Sequence, residues 1–106
     1  YGLEGKDNEC GGIYKVAAPL VNMCAPPMQW QTYDITFYAP RFDETGRKIE
    51  DARVTVFHNG VKIHDNVKIP QPTGGALNTD MTQPGGICLQ DHGDKVQFRN
   101  IWLVEL

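Results

Sequence analysis

The four residues His58-Asn59-Gly60-Val61 constrain this chain more than any other local feature. Asn-Gly favours the type I′ turn, whose twist suits a two-residue hairpin between antiparallel strands. The β-rich run Ala52 to Phe57 precedes the turn and Val61 opens a second run, so strands are expected near 52–58 and 61–65. In a plain two-residue hairpin His58 faces Val61 and Val56 faces Ile63. Val54, Val56, His58, Val61 and Ile63 then share one face, while Phe57, Lys62 and His64 share the other. That register makes His64, beside Lys62, a solvated side chain.

A second alternating run spans Trp30 to Ala39. Tyr33, Ile35 and Phe37 fall on one face and Thr32, Asp34 and Thr36 on the other, as in a strand with one buried and one polar side. Asp43-Glu44-Thr45-Gly46-Arg47-Lys48 reads as a charged hairpin-type loop. Residues 1–29 read as loop with one short strand at Gly12 to Val16, interrupted by Pro19, Pro26 and Pro27. The Gly-, Pro-, Thr- and Asn-rich stretch from Pro70 to Gly86 is long for a connection, a length common in functional flaps. Further strands are expected near 86–90 and 96–104. The last carries Phe98, Trp102 and Val104 on one face and Ile101 and Leu103 on the other, so it belongs inside a packed structure. Covering it calls for another segment, either a remaining N-terminal part of the domain or a partner chain. The expected class is all-β, with residues 1–106 forming a part of a single domain.

The chain has 106 residues and a formal charge of −3. This length fits one domain and is short for closing a whole sandwich. Scattered basic residues argue against a nucleic-acid surface, and no apolar run has the length of a membrane span. Of the three cysteines, Cys10 and Cys24 flank a compact loop and are expected within disulfide range. A bridge there would contribute about 3 kcal/mol on the chain-entropy estimate. Cys88, between Ile87 and Leu89, reads as a small core residue. No cysteine pair has zinc-ligand spacing and the histidines are dispersed.

Four groups able to bind or transfer protons, Gln90, Asp91, His92 and Arg99, lie around one Gly-containing turn near the C-terminus. An ordinary solvated hairpin turn would account for them equally well. The run Gly86 to Leu103, with its Leu89-Gln90-Asp91-His92-Gly93 and Phe98-Arg99-Asn100-Ile101 segments, resembles the 3-keto-disaccharide hydrolase family, long catalogued as domain of unknown function 1080. Trp30-Gln31-Thr32-Tyr33-Asp34-Ile35 and the hairpin around Asn59-Gly60 extend the resemblance over nearly the whole chain, in the expected order. It implies a concanavalin-like jelly-roll β-sandwich of which this chain is the C-terminal half, a sugar substrate, and a periplasmic or secreted bacterial enzyme. Family members carry a first half of the sandwich, with a Glu-containing strand, ahead of the point where this chain opens.

The implied substrates are glycosides already oxidised to a ketone at C3. The ketone acidifies the C2 hydrogen, a base removes it, and the enolate expels the C1 substituent before water adds to the enone. Such chemistry needs a base near neutral pKa, a donor or cation for the enolate oxygen and an acid for the leaving group. His92 is the first candidate for base or acid, with Asp91 and Asp94 beside it to raise its basicity; its alternative role is capping its own turn. Arg99 and Gln90 are candidates for binding the sugar, Arg99 being equally suited to an ion pair with Asp91 or Asp94. His58 is a second proton-transfer candidate, set against the role of a satisfied core histidine. Trp30 can offer a ring face to a pyranose or simply pack. A divalent cation could polarise the keto oxygen, although no ligand spacing is diagnostic. A non-catalytic, lectin-like module on the same fold is the alternative function.

Overall fold

Seven residues of strand face nine in the central hairpin of this protein, and that mismatch shapes its interior. The computed structural model describes residues 2–73, 80–90 and 92–106. Its elements are β1 (Tyr33–Tyr38), β2 (Arg41–Phe42), β3 (Lys48–Glu50), β4 (Ala52–His58) and β5 (Val61–Ile69). No helix occurs among the described residues, and the fold is all-β with antiparallel sheets. β1, β4 and β5 form one three-stranded sheet with β4 in the centre, and β2 pairs with β3 in a separate two-stranded ribbon.

The turn joining β4 to β5 is the one that Asn-Gly favours, with φ of 52° at Asn59 and 82° at Gly60. A type I′ turn requires both central residues in this region, which Asn tolerates and Gly adopts freely. In β2–β3 the turn is held by one carboxylate. Asp43 Oδ1 accepts from the Thr45 hydroxyl at 2.7 Å and from the backbone amides of Thr45 and Arg47, each at 2.9 Å. These bonds, the Thr45 hydroxyl foremost, hold the Asp43 carboxyl below its ordinary pKa.

β1 and β4 pair in unbroken register from Tyr33 opposite His58 to Tyr38 opposite Arg53. Tyr33, Ile35 and Phe37 therefore lie on the same side as Val54, Val56 and His58, as the alternation implies. Between β4 and β5 the register breaks twice: Val56 lies opposite His64, not Ile63, while Phe57 lies opposite Lys62. Ile63 is thus an extra residue in the first bulge. A second extra residue falls at Asp65–Asn66, opposite Thr55, where Asn66 has φ of 49° and its N–H bonds Thr55 Oγ1 at 2.9 Å. The expected placement of His64 among solvated groups is thereby overturned. The bulge at Ile63 turns it to the apolar side, where it is 2 % exposed.

The core consists of Val54, Val56 and Ile63, with Ile13, Met23, Val67 and Ile69 packed against it. The N-terminal segment supplies its cover. Leu20 N–H donates to the Ile63 carbonyl at 2.8 Å, and His64 Nε2–H donates to the Gly11 carbonyl at 2.6 Å. In place of the short strand expected at Gly12 to Val16, this segment holds a single bridge between Ile13 and Ala17. The cover reaches β4, β5 and the Tyr33 end of β1, where Cys10 Sγ is 4.0 Å from the Tyr33 hydroxyl, and leaves Ile35 and Phe37 of β1 61 % and 55 % exposed.

Further expectations differ from the structure. β1 begins at Tyr33, not Trp30, and β5 runs on to Ile69. The segments 86–90 and 96–104 are not strands: no backbone ladder forms along them, and their apolar side chains, from Ile87 to Val104, are exposed. Alternating or apolar sequence becomes a strand only where a neighbour accepts its hydrogen bonds. Cys88, expected in a core, is exposed for the same reason.

Candidate functional site

Two histidines lie buried on the face of the sheet that the N-terminal segment covers, and each is anchored at Nε2. His58 ends β4 with 1 % exposure. Its Nε2 is 2.8 Å from Gln31 Oε1, which also accepts from Ala25 N at 3.0 Å and Asn59 Nδ2 at 3.4 Å. An oxygen collecting donors fixes His58 Nε2 as the protonated nitrogen. The imidazole is stacked on the Tyr33 ring, with centroids 4.3 Å apart and planes at 9°. Burial pulls its pKa below the ordinary histidine value, so His58 is neutral at pH 7.

Asn59 ties the same corner together. Its Oδ1 accepts from Thr32 N at 3.0 Å, its own N–H donates to the Thr32 carbonyl at 2.9 Å, and Nδ2 donates to the Met23 carbonyl at 2.7 Å. The residues just before β1 are thus clamped to the hairpin turn. The Cys10 thiol stands 4.0 Å from the Tyr33 hydroxyl. Desolvation, then the Cys10 thiol, push the Tyr33 phenol well above its ordinary pKa, and burial together with Cys24 pushes Cys10 up to about 11. At neutral pH both stay protonated.

Beside this corner the covered face opens into a concavity of about 310 Å³, lined by Ile13, Tyr33, Ile35, Val54, Val56 and His64 among others. The lining is chiefly apolar. Its size lies at the lower end of small-molecule sites. With His58 and His64 both engaged at Nε2, the concavity offers shape and an apolar floor, not an exposed proton-transfer group.

The residues singled out from sequence fall into separate groups. Trp30 and Arg99 come together, the guanidinium carbon lying 3.8 Å from the indole centroid. This stack places Arg99 on an aromatic face. Gln90 and His92 are exposed on the C-terminal segment, where Gly93 has φ of 91°, and Asp91 lies outside the described residues. His58 is in the buried corner. Cys10 and Cys24 are both free, half-buried thiols, the Cys24 Sγ donating to the Ala25 carbonyl at 3.6 Å. Among the described residues no group of three His, Cys, Asp or Glu comes together to hold a metal ion. No helix among them is long and apolar enough to cross a membrane.

Sequence reasoning missed Gln31, the acceptor at the centre of the corner, and Gly11, whose carbonyl holds His64. Neither carries a local signal, because their partners lie 27 and 53 residues away.

The model of the family described as the 3-keto-alpha-glucoside-1,2-lyase-like domain matches residues 1–104. The chain belongs to this family. Among solved structures it is similar to a protein from Parabacteroides distasonis provisionally described as a glycosyl hydrolase, with 33 % identity and a TM-score of 0.62. That likeness covers 74 % of this chain and 34 % of the other, so the chain spans about a third of its structural relative. No curated protein matches it. Membership of the lyase-like family agrees with the resemblance carried by Trp30 to Ile35, the Asn59-Gly60 hairpin and Gly86 to Leu103.

Proposed function

We propose that this chain is part of an enzyme that cleaves 3-keto-glycosides by C2 proton abstraction, elimination of the C1 substituent and hydration of the enone. The observation that carries this reading is the family match over residues 1–104. In this proposal the three-stranded sheet belongs to a jelly-roll sandwich, and residues 1–106 are the C-terminal part of that domain. A 3-keto group supplies the acidity at C2, so one base suffices where ordinary glycosidases need two opposed carboxylates.

Within this reading His92 moves the proton at C2 or at the leaving oxygen, being an exposed imidazole on the turn after Gln90. Arg99 and Trp30 form a sugar platform: Trp30 is 50 % exposed, and the guanidinium on its ring can donate to a hydroxyl pair or to the enolate oxygen. Gln90 orients the keto sugar. His58 is better suited to holding the corner than to proton transfer, because it is buried and its Nε2–H is engaged by Gln31.

The test offers the protein a 3-keto-glucoside and the matching unoxidised glucoside, with and without a chelator for divalent cations. Release of the aglycone from the keto substrate alone supports the elimination route, and dependence on added metal would assign the keto oxygen to a cation. Equal cleavage of both substrates refutes the route. Saturable binding without turnover would favour a lectin-like module.

A further inference from the structure

The cover over the sheet is a loop that holds itself together poorly but is pinned at both ends beside a pair of thiols. Between Cys10 and Cys24 the regular backbone pairing amounts to the single Ile13–Ala17 bridge. At one end Gly12 N–H donates to the Glu9 carbonyl at 2.8 Å and the Gly11 carbonyl holds His64. At the other, Cys24 N–H donates to Asn22 Oδ1 at 3.1 Å and Ala25 N–H to Gln31 at 3.0 Å. These anchors set both half-buried thiols at one corner: Cys10 Sγ lies 4.0 Å from the Tyr33 hydroxyl, the Tyr33 ring stacks on His58, and the Gln31 oxygen that holds His58 also holds Ala25, the neighbour of Cys24. The third thiol, Cys88, is exposed on the C-terminal segment.

We infer that Cys10 and Cys24 are a reversible thiol–disulfide couple that locks the covering loop onto the Tyr33–His58 corner under oxidising conditions and releases it under reducing ones. The inference does not depend on the keto-sugar reading. The oxidant is a disulfide, of either a small thiol or a thiol oxidase. One thiolate attacks a sulfur of that disulfide and expels a thiolate, giving a mixed disulfide. The second cysteine, as thiolate, then attacks the protein sulfur, forms the Cys10–Cys24 bond and expels the other half of the oxidant. Two S–H bonds are lost from the protein, and the oxidant gains two protons and two electrons. Burial keeps Cys10 protonated at neutral pH, so its attack in the second step follows loss of its proton to solvent, and bridging should speed up as pH rises.

The lock should act on the loop itself. Cross-linking a segment of about 15 residues restricts its open state enough to shift the opening equilibrium on the order of a hundredfold. The experiment treats the protein with oxidised glutathione, then maps disulfides by peptide mass spectrometry and follows amide hydrogen exchange across residues 11–23. The expected result is a Cys10–Cys24 bridge lighter by two hydrogens, Cys88 outside it, and exchange in the loop slowed by about a hundredfold, reversed by dithiothreitol. The double variant Cys10→Ser, Cys24→Ser should show no oxidant effect on the loop. Separate glutathione adducts on Cys10 and Cys24, a bridge to Cys88, or a bridge that leaves exchange at 11–23 unchanged would each overturn the inference.

Discussion

Replacing Asn59 by Asp separates what the turn needs from what the fold needs. Asp-Gly supports a type I′ turn nearly as well as Asn-Gly, so turn chemistry alone predicts a change of a few tenths of a kcal/mol. The structure predicts much more. Asn59 Nδ2 donates to the Met23 carbonyl at 2.7 Å and lies 3.4 Å from Gln31 Oε1, so a carboxylate there would set an acceptor against two acceptors. Losing the bond costs about 1 kcal/mol, and leaving a half-buried carbonyl without its donor costs about 1–2 more. The sum, about 2–3 kcal/mol, corresponds to a fall in Tm on the order of 10 °C for a domain of this size. Urea denaturation should show a lower midpoint with an unchanged slope. The sign of the pH effect is also fixed. Facing two oxygens, the introduced carboxyl has a folded pKa above its unfolded value, so its contribution is most favourable below the unfolded pKa and is lost as pH rises through the folded one. Asn59→Asp should therefore approach the native protein in stability as pH falls. A variant within about 0.5 kcal/mol of the native protein at pH 7 would refute the clamp between Met23 and the hairpin.

Gln31→Leu, of similar shape but without the acceptor, should cost about 2–4 kcal/mol in the urea midpoint, because His58 Nε2–H and Ala25 N–H lose their partner. His58 is buried with a lowered pKa, so the unfolded chain takes up the proton first as the solution is acidified. Its stabilising effect is full above about pH 6.5 and is lost below it, by at most about 1.4 kcal/mol per pH unit; His58→Phe should flatten that slope in urea midpoints measured from pH 7.5 to 5. His92→Ala should lower kcat on a 3-keto-glucoside by about 10²-fold with the melting temperature unchanged, while Arg99→Ala should act mainly through KM. Full turnover by His92→Ala would remove it from the proton-transfer role.

Much of the sheet can be read from local sequence because β4 and β1 obey strict alternation and Asn59-Gly60 names its own turn. The buried corner cannot. Gln31, Gly11 and His64 are joined through contacts between the covering loop and the hairpin, and nothing in the residues around Gln31 distinguishes it from a solvated amide. The two bulges escaped for a subtler reason. Val61, Ile63, Val67 and Ile69 are all odd-numbered, so β5 reads as uninterrupted alternation, and only the buried His64 betrays the slip. At the C-terminus the opposite holds, since the apolar pattern reads as strand where no ladder forms. For the candidate site, the pairing of Trp30 with Arg99 joins two residues nominated separately, whereas His58 and His92 end in different surroundings.

The paired bulges of β5 behave like two compensating frame shifts. Straightening either one alone would slide every later residue by one place and turn Val67 and Ile69 from the covered face to the polar one. Straightening both would slide them by two places and leave their sides unchanged. The hairpin can therefore exchange a nine-residue strand for a seven-residue one only in a single concerted step, and a single-residue deletion in β5 should be tolerated at Asp65–Asn66 but not between Val67 and Ile69, while one at Ile63 keeps the frame and forfeits a core side chain. Parity, more than propensity, keeps this strand in frame.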